Sequence, residues 1–320
     1  SKPSNRGLLL RKAFFYLRSF MPTARKKTHK KNRFAIIGTG MVGTAIGILL
    51  KKAGYKITAV CDKSPAALKR AVKYTKAKPF FDPTKTLREA DYLLITTPDD
   101  AISSACREIS RSPEIKGKYV FHMSGAGGLD LLEEAAKAGA YVGSIHPLQS
   151  FSSIDNAVSN IPKSYFGITV DKKAGAVAKQ VVADLKGVPL FISNAQKPLY
   201  HAAACVASNY LVSLLNAVES IYKATGIKEK QARKAYLPLV YGTLKNIERS
   251  GSIYALTGPI ARGDIGTIKK HMRIMKKNLA QFVPLYSALG LMTAKVAMQK
   301  GSLKPGTAKL INDVLKGVKP

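Results

Sequence analysis

A glycine-rich turn between a strand pattern and a helix pattern most constrains the fold of this chain. The apolar run RFAIIG leads directly into GTGMVG, and an Ala-, Ile- and Leu-rich helix pattern follows. In a GxGxxG turn the first glycine permits tight turning, the second lets backbone N–H groups approach a pyrophosphate, and the third lets helix and strand pack closely. The helix N-terminus adds partial positive charge. The turn predicts a dinucleotide site formed by Gly38, Thr39, Gly40, Met41, Val42 and Gly43.

Strand and helix patterns alternate from residue 33 to about residue 193. Helical stretches separate RFAIIG, KITAVCD, DYLLITTP, KYVFHMSG and YVGSIHP, and SYFGITV and PLFIS extend the layer. Buried strands separated by helices form right-handed βαβ units. This predicts an α/β, Rossmann-type, doubly wound parallel sheet over 33–193. From residue 194 onward only long helical segments appear, so 194–320 is predicted to be all-helical.

Charge is the most unusual part of the composition. The 320 residues include 52 Lys and Arg against 19 Asp and Glu, a formal charge of +33. Such a field attracts nucleic acid, anionic lipid and acidic metabolites alike. Lysine continues at similar density to the end of the chain and no nucleic-acid motif accompanies it, so we expect no specific nucleic-acid partner.

The first 32 residues contain no acidic residue. We interpret 1–32 as a basic, flexible extension. Its amphipathic part, Gly7–Met21, favours weak contact with an anionic membrane surface, and an organelle transit peptide has the same composition. Elsewhere no apolar run approaches the roughly 20 residues of a membrane span, which predicts a soluble protein.

The three cysteines, Cys61, Cys106 and Cys205, stand far apart. They form neither a CxxC pair nor a metal-ligand spacing with the five histidines. We therefore expect no metal site and a reducing compartment, the cytoplasm.

The end of the second strand pattern bears on which dinucleotide is bound. Asp62 stands where an acidic residue would hold the ribose 2′-OH of NAD, whereas Lys63 and Ser64 suit a 2′-phosphate. If Asp62 turns away to cap the following helix, Lys63, Ser64 and either Lys69 or Arg70 are left for that phosphate. This favours NADP, with NAD as the alternative.

Three further strand ends carry candidate site residues. Thr97 and Pro98 follow LLIT and should border the cofactor, while Asp99 either joins them or caps the next helix. Ser124 follows KYVFH, and His146 ends GSIH. Hydride transfer to a carbonyl or imine carbon needs a proton donor or acceptor nearby, and imidazole suits that role near neutral pH. The alternative for His146 is a hydrogen bond that fixes the loop.

The first helical segment of the second half has a polar line of Lys197, His201, Cys205 and Asn209 at four-residue steps. On one continuous helix His201 and Asn209 lie within about 80° of each other and share one cleft. The alternative is hydrogen bonding between helices.

Residues 255–264, ALTGPIARGD, form a second dense motif. Gly258 and the Arg-Gly-Asp sequence predict a rigid turn in which Arg262 is a planar fork for a substrate carboxylate or phosphate. We expect Asp264 either to join Arg262 in the substrate site or to cap the next helix. The alternative is an ordinary turn with an exposed arginine.

These motifs give the chain a family resemblance. GTGMVGTA, TTPD, HMSGAGGLDLL, GSIHPLQSF, YHAAACVASNYLVSL and LTGPIARGD resemble Rossmann-like oxidoreductases whose helical C-terminal domain is of unknown function. The chain is more distantly similar to pyrroline-5-carboxylate reductase, ketopantoate reductase, prephenate dehydrogenase and 3-hydroxyisobutyrate dehydrogenase. The resemblance implies a 6-phosphogluconate-dehydrogenase-like helical domain at 194–320 that binds substrate and forms a homodimer.

The resemblance also implies roles for single residues. Prephenate dehydrogenases have a similar Gly-Ser-His-Pro stretch, which implies proton transfer by His146 with Ser124 beside it. Hydroxyisobutyrate-type enzymes place a catalytic Lys four residues before an Asn. Asn209 matches that Asn, but Cys205 occupies the Lys position, and His201 is one turn earlier.

Together these features predict an NADP-dependent oxidoreductase that transfers a hydride to or from a C=O or C=N carbon of a small anionic substrate. The alternative is a regulatory or sensor protein that binds NADP without turnover. A third class is a membrane- or nucleic-acid-surface protein.

Overall fold

The computed structural model describes residues 32–318, and the expectations for the basic extension lie almost entirely outside them. The chain divides after Ala203 into two compact units. The sequence predicted a domain boundary ten residues earlier, where the last strand ends.

One eight-stranded sheet organises the first unit, with strand order β3-β2-β1-β4-β5-β6-β7-β8. All neighbouring strands are parallel except β6 and β7. The strands are β1 (Arg33–Ile37), β2 (Lys56–Cys61), β3 (Lys78–Phe80), β4 (Tyr92–Ile95), β5 (Tyr119–His122), β6 (Tyr141–Pro147), β7 (Tyr165–Val170) and β8 (Val188–Phe191).

The predicted doubly wound α/β sheet is confirmed, with two differences. The short edge strand β3 was not predicted, because KPF carries no apolar run. Strand β7 runs antiparallel to β6. The start of β7 pairs with the end of β6, since Phe166 lies opposite Pro147. The connection 148–164 therefore returns to the edge where β6 ends instead of crossing the sheet.

Helices cover both faces of the sheet. Those of the first unit are α1 (Met41–Lys52), α2 (Pro65–Thr75), α3 (Asp99–Ser110), α4 (Glu133–Lys137), α5 (Ile154–Asn160), α6 (Gly175–Asp184) and most of α7 (Lys197–Ala207). Alternate residues of a strand point to opposite faces. Thus Tyr92 and Leu94 of β4 join the core under α1, α2, α5 and α6, whereas Leu93 and Ile95 join the core under α3 and α4.

The strand order reverses between β1 and β4, because β1 leads to β2 on one side while β4 leads to β5 on the other. In open α/β sheets, ligands bind in the crevice outside the carboxyl ends of the strands at this point. The fold therefore places the candidate site at the ends of β1 and β4.

The second unit is helical. Beyond the end of α7 it contains α8 (Asn209–Ala224), α9 (Glu229–Ala255), α10 (Ile265–Asn278), α11 (Val283–Gln299) and α12 (Pro305–Lys316). Helices α10, α11 and α12 bury one apolar cluster, which includes Ile268, Ala294 and Ile311. Helices α8 and α9 are joined by Glu219, which accepts hydrogen bonds from Arg233 and from the Tyr236 hydroxyl group.

The structure interrupts two of the long helical segments that the sequence predicts, HAAACVASNYLVSLLNAVESIYKATG and GTIKKHMRIMKKNLAQFVPLYSALG. Ser208, with φ −118° and ψ −69°, separates α7 from α8. Leu279, with φ −147°, ends α10 before α11 begins. Neither position holds a proline or glycine that would have indicated the break. The 80° separation expected for His201 and Asn209 assumed one helix, so that geometric argument is wrong.

One stretch of the described chain is long and apolar enough to cross a membrane by length and composition alone. It is Asn194–Ala224, with a mean hydropathy of 1.2 and few buried residues. The expectation that no apolar run reaches this length is wrong. One stretch of this composition also occurs in proteins outside membranes, and Ser208 interrupts this one.

Candidate cofactor and active site

The GxGxxG turn lies at the end of β1, and two of its glycines are required by sterics. Gly38 has φ +92°, and a Cβ there would lie 2.6 Å from the Thr97 amide nitrogen. A Cβ at Gly43 would collide with the Gly38 carbonyl oxygen and with the Thr96 hydroxyl oxygen. The turn is therefore packed against the end of β4, and only glycine fits at these two positions.

Gly40 differs, because a Cβ there would meet no atom of residues 32–318 within 4 Å. It is the N-cap residue of α1, and neither a capping side chain nor an acidic residue occupies the first turn of that helix. The first N–H groups of a helix have no partner within the helix and carry partial positive charge. Backbone donors therefore face open space here, which fits the approach of a pyrophosphate.

Asp62 points back to the turn, contrary to the expectation that it caps the next helix. Its carboxylate accepts hydrogen bonds from the Thr39 amide at 2.6 Å and the Thr39 hydroxyl at 3.0 Å. The other oxygen accepts from the Ser64 amide at 2.9 Å. Ser64 caps α2 instead, because its hydroxyl oxygen accepts from the Ala67 amide. Asp62 thus holds the conformation of the turn, and most of its acceptor capacity is used there.

Basic groups border the same side of the turn. Arg70, on α2, donates a hydrogen bond to the Thr39 carbonyl oxygen at 3.2 Å. Lys63 and Lys69 are exposed nearby in the chain. Of the three cations considered from the sequence, Arg70 is the one that the structure brings into contact with the glycine turn.

The segment after β4 joins the turn to the neighbouring strand ends. The Thr96 hydroxyl group donates to the Gly38 carbonyl oxygen. The Thr97 hydroxyl oxygen is buried and has no hydrogen-bond partner in residues 32–318. Pro98 is the N-cap residue of α3, so Asp99 is not the cap. Asp99 accepts a hydrogen bond of 2.6 Å from the Ser124 hydroxyl group.

His122, which the sequence analysis did not single out, fixes the loop after β5. Its Nδ1 accepts from the Ser124 amide at 3.1 Å, and its Nε2 lies 3.0 Å from the Gly128 carbonyl oxygen. A carbonyl oxygen only accepts, so the proton is on Nε2. Burial and the nearby Lys197 lower the pKa of His122 to about 4. Both nitrogens are occupied, so His122 is a neutral structural residue.

Ser124 is also held firmly. Its hydroxyl group donates to Asp99 and accepts from the Gly127 amide at 2.8 Å, and the residue is almost completely buried. The hydroxyl proton is committed to a carboxylate. The geometry therefore fits a residue that shapes the loop better than one that moves a proton.

His146 and His201 face each other across Gly125. Their ring centroids are 5.7 Å apart with nearly perpendicular planes. A Cβ at Gly125 would lie 2.9 Å from His146 Nε2 and would collide with His201 Nδ1. Glycine at this position is thus required for the two imidazoles to converge. The predicted residues His146, His201 and Ser124 do come together at the ends of β5 and β6.

The His146 ring is oriented by Tyr200, whose hydroxyl oxygen lies 3.1 Å from Nδ1. Burial, followed by the charge of Lys197, lowers the pKa of His146 to about 4. The ring is therefore neutral at pH 7. A neutral imidazole can accept a proton or donate a hydrogen bond through the nitrogen that faces away from Tyr200.

Lys197 lies beside His122, Ser124, His146 and His201, and together these five residues form the histidine cluster. Lys197 is its most unexpected member. It is the first residue of α7 and is 1% exposed. Its ammonium group donates to the Ser124 carbonyl oxygen at 3.0 Å and to the Ser144 hydroxyl at 2.7 Å. Its place one turn before His201 was visible in the sequence, but its burial was not.

The remaining predicted residues lie in the second unit, each in its own setting. Asn209 is exposed at the start of α8. Asp264 caps α10 by accepting from the Thr267 amide at 2.9 Å and the Thr267 hydroxyl at 2.6 Å, and these bonds lower its pKa. Gly258 has φ +99°, and Arg262 is exposed without an ion pair among the described residues. The Asp264 cap and the turn at Gly258 are present as predicted, whereas the substrate-binding roles of Gly258, Arg262 and Asp264 stay predictions.

The described residues contain no group of three or more His, Cys, Asp or Glu side chains arranged to hold a metal ion. The candidate site is therefore a glycine turn with an open helix N-terminus, next to the facing imidazoles of His146 and His201 and the buried Lys197.

This α/β architecture and turn are typical of dinucleotide-binding proteins, and comparison with protein families agrees. Residues 21–147 match a Rossmann-like domain. Residues 164–293 match DUF2520, a domain of unknown function. The chain is thus a Rossmann-like domain followed by a DUF2520 domain, as its motifs suggested. No curated protein matches the sequence.

Solved structures share this fold. A protein from Bacteroides fragilis designated as an NADP oxidoreductase is 20% identical, with a TM-score of 0.67 over 83% of this chain and 98% of its own. A protein from Thermotoga maritima is 23% identical, with a TM-score of 0.67 over 84% and 99%. A reductive aminase from Aspergillus terreus, solved with NADPH, is 17% identical, with a TM-score of 0.60 over 88% and 99%. Pyrroline-5-carboxylate and imine reductases also match. At these identities the likeness establishes the fold alone.

Proposed function

We propose that this protein is an NADP-dependent oxidoreductase that transfers a hydride to or from a C=O or C=N carbon of a small anionic substrate. One observation carries the proposal. At Gly40 the N-terminus of α1 has no capping side chain and faces open space, at the point where the strand order reverses. Structural neighbours that are NADP oxidoreductases or reductases support the same class.

The residues of the turn fit the cofactor. Backbone N–H groups at Gly40, Met41 and Val42 would hold the pyrophosphate, because no described residue caps this helix end or lies within 4 Å of a Cβ placed at Gly40. Arg70 and Lys63 would hold the 2′-phosphate that distinguishes NADP from NAD. The Thr97 hydroxyl group, which has no hydrogen-bond partner among the described residues, would donate to the cofactor in the same crevice. When bound, the cofactor supplies the hydride.

The chain's own residues would manage the proton. His146 is neutral at pH 7 and is held by Tyr200, so one ring nitrogen remains for the substrate. His201 lies across Gly125 and would orient the same substrate group. The Asp99–Ser124 hydrogen bond connects the segment bordering the cofactor with the loop bordering the histidines. This contact would fix the position of the cofactor-binding segment relative to the loop that borders the histidines.

The basic character of the site supports an anionic substrate. Lys197 places a positive charge close to His122 and His146, and its burial leaves that charge weakly screened by water. Arg262 is proposed as a carboxylate ligand, since its guanidinium is exposed and free of an ion pair among the described residues.

We further propose that the protein forms a homodimer through its helical unit. We also propose that it resides in the cytoplasm. Large apolar side chains on α8 and α9 are exposed, among them Val212 at 69% and Leu239 at 69%. Exposed apolar patches of this kind mark association surfaces. The three free cysteines support a reducing compartment.

A turnover screen tests the proposal. Purified protein is mixed with NADPH and a panel of keto acids and cyclic imines, and NADPH absorbance is followed. Oxidation with at least one candidate, lost in His146→Ala, supports the oxidoreductase. Tight NADPH binding without turnover on any candidate would instead support the regulatory alternative.

A further inference from the structure

Lys197 is a buried cation with no carboxylate at ion-pair distance among residues 32–318, although the charges of Asp99 and Asp130 act on it. None of the ion pairs among residues 32–318 includes it, although it is 1% exposed. Removing an ammonium group from water costs several kcal/mol, and an opposite charge is the usual compensation. A buried lysine that keeps its charge without one is more typical of a functional site than of a structural core.

The contacts of Lys197 join two strand ends. Its ammonium group donates to the Ser124 carbonyl oxygen, in the loop after β5, and to the Ser144 hydroxyl, on β6. The Ser144 hydroxyl also donates to the same Ser124 carbonyl at 3.1 Å. The loop would thus stay attached to β6 through Ser144 even without the ammonium group, so the lysine is not needed merely to close this gap.

We infer that Lys197 is a positioning residue that supplies a fixed positive charge close to His146, held in place by the Ser124 carbonyl oxygen and the Ser144 hydroxyl group. This role rests on the proposed function, in which His146 meets the substrate as an uncharged imidazole. It accounts for a lysine where a neutral side chain of similar length would pack at lower cost.

The groups that face His146 from each side are consistent with this role. Lys197 has the largest electrostatic effect on the His146 pKa after burial, and it acts in the same direction. His201 and His122 also lower that pKa, whereas Asp99 raises it, and Tyr200 contacts Nδ1. Burial lowers the pKa of Lys197 itself to about 8, so the ammonium form still predominates at pH 7.

The test replaces the charge while keeping the shape. Lys197→Met removes the ammonium group, and Lys197→Arg keeps a cation. Lys179→Met, on the exposed face of α6, is the matched control. The His146 titration midpoint is measured by NMR in the protein without cofactor, and thermal melting and NADPH oxidation are measured in parallel.

We expect the His146 midpoint to move from about 4 towards the usual 6.5 in Lys197→Met, because a neighbouring positive charge has been removed. It should stay low in Lys197→Arg and Lys179→Met. Melting of Lys197→Met should be unchanged or higher, and kcat should fall at least about tenfold with little change in the KM for NADPH.

An unchanged His146 midpoint in folded Lys197→Met would overturn the inference, as would a lowered melting temperature with normal kcat. If Lys197→Met does not fold, Lys197→Gln gives the same comparison, because its amide still donates to the Ser124 carbonyl. Titration and melting require no turnover. A failed substrate screen would therefore refute the proposed function without deciding the role of Lys197.

Discussion

The glycine turn and the histidine cluster lie at the same edge of the sheet but are built in opposite ways. The turn presents bare backbone to open space at Gly40. The cluster is filled with side chains, and His122, Ser124 and Lys197 are all buried there. The turn suits recognition of an anion present in every dinucleotide. The cluster instead fixes protonation states, which is what the chemical step requires.

The two regions also differ in the kind of free-energy cost that their structures impose. In the turn the cost is conformational and falls on Gly38, the residue with φ +92°. In the cluster the cost is electrostatic, because His122 and Lys197 are buried and His146 is half-buried, with pKa values shifted to about 4, 8 and 4. Mutations in the two regions should therefore separate binding from turnover.

The largest expected effect is on turnover. His146→Ala should lower kcat by about 10²- to 10⁴-fold, the usual contribution of a positioned acid or base, while NADPH affinity stays within a factor of about two. Steady-state kinetics and NADPH titration measure the two quantities. His271→Ala removes an exposed histidine that contacts Tyr286 and serves as the control. Equal losses of binding and turnover would show that the two regions are not separable.

The second-largest expected effect is a loss of stability when a side chain is added to the glycine turn. Gly38→Ala should lower the free energy of unfolding by about 3 kcal/mol, because a positive φ is unfavourable for alanine and its Cβ would overlap the Thr97 backbone. Gly54→Ala is the control, since Gly54 has φ +96° but open space around it. It should cost only about 1 kcal/mol in urea unfolding. Similar losses in both variants would rule out the close contact with β4.

Acid should destabilise the cluster. The folded pKa values of His122 and His146 are about 4, below the usual 6.5, so the unfolded chain takes up protons first as pH falls. Stability should be fully present above pH 6.5 and be lost towards pH 4, by about 2–3 kcal/mol per histidine. Urea unfolding of His146→Gln should show a weaker pH dependence than the parent chain. Identical slopes would mean that His146 is not buried in its neutral form.

A smaller effect distinguishes the coenzymes. Arg70→Ala should weaken NADPH binding about tenfold and leave NADH binding unchanged, as expected for one charge-assisted contact to the 2′-phosphate. Lys69→Ala, an exposed neighbour, is the control. Fluorescence titration with both coenzymes gives the ratio. If NADH binding falls equally, Arg70 acts only by holding Thr39.

The sheet and the turn could be predicted because their causes are local. Strand patterns such as RFAIIG and YLLI are continuous apolar runs, and GxGxxG has a fixed spacing. The cluster could be predicted only in part. His146 ends a strand, but the burial of Lys197 and the orientation of Asp62 depend on residues more than 20 positions away, namely Ser124, Ser144 and Thr39. The break at Ser208 likewise has no local sequence signal.

The most direct test of the central claim is NADPH titration of Gly40→Asp. A Cβ at this position meets no described atom within 4 Å and aspartate suits an N-cap, so α1 should be at least as stable as before. Gly306→Asp adds the same charge in the first turn of α12, also in open space. We predict tight NADPH binding by the parent chain and by Gly306→Asp, and a loss of about 100-fold or more in Gly40→Asp, because two negative charges would meet. Undiminished NADPH affinity in a well-folded Gly40→Asp variant would contradict the account.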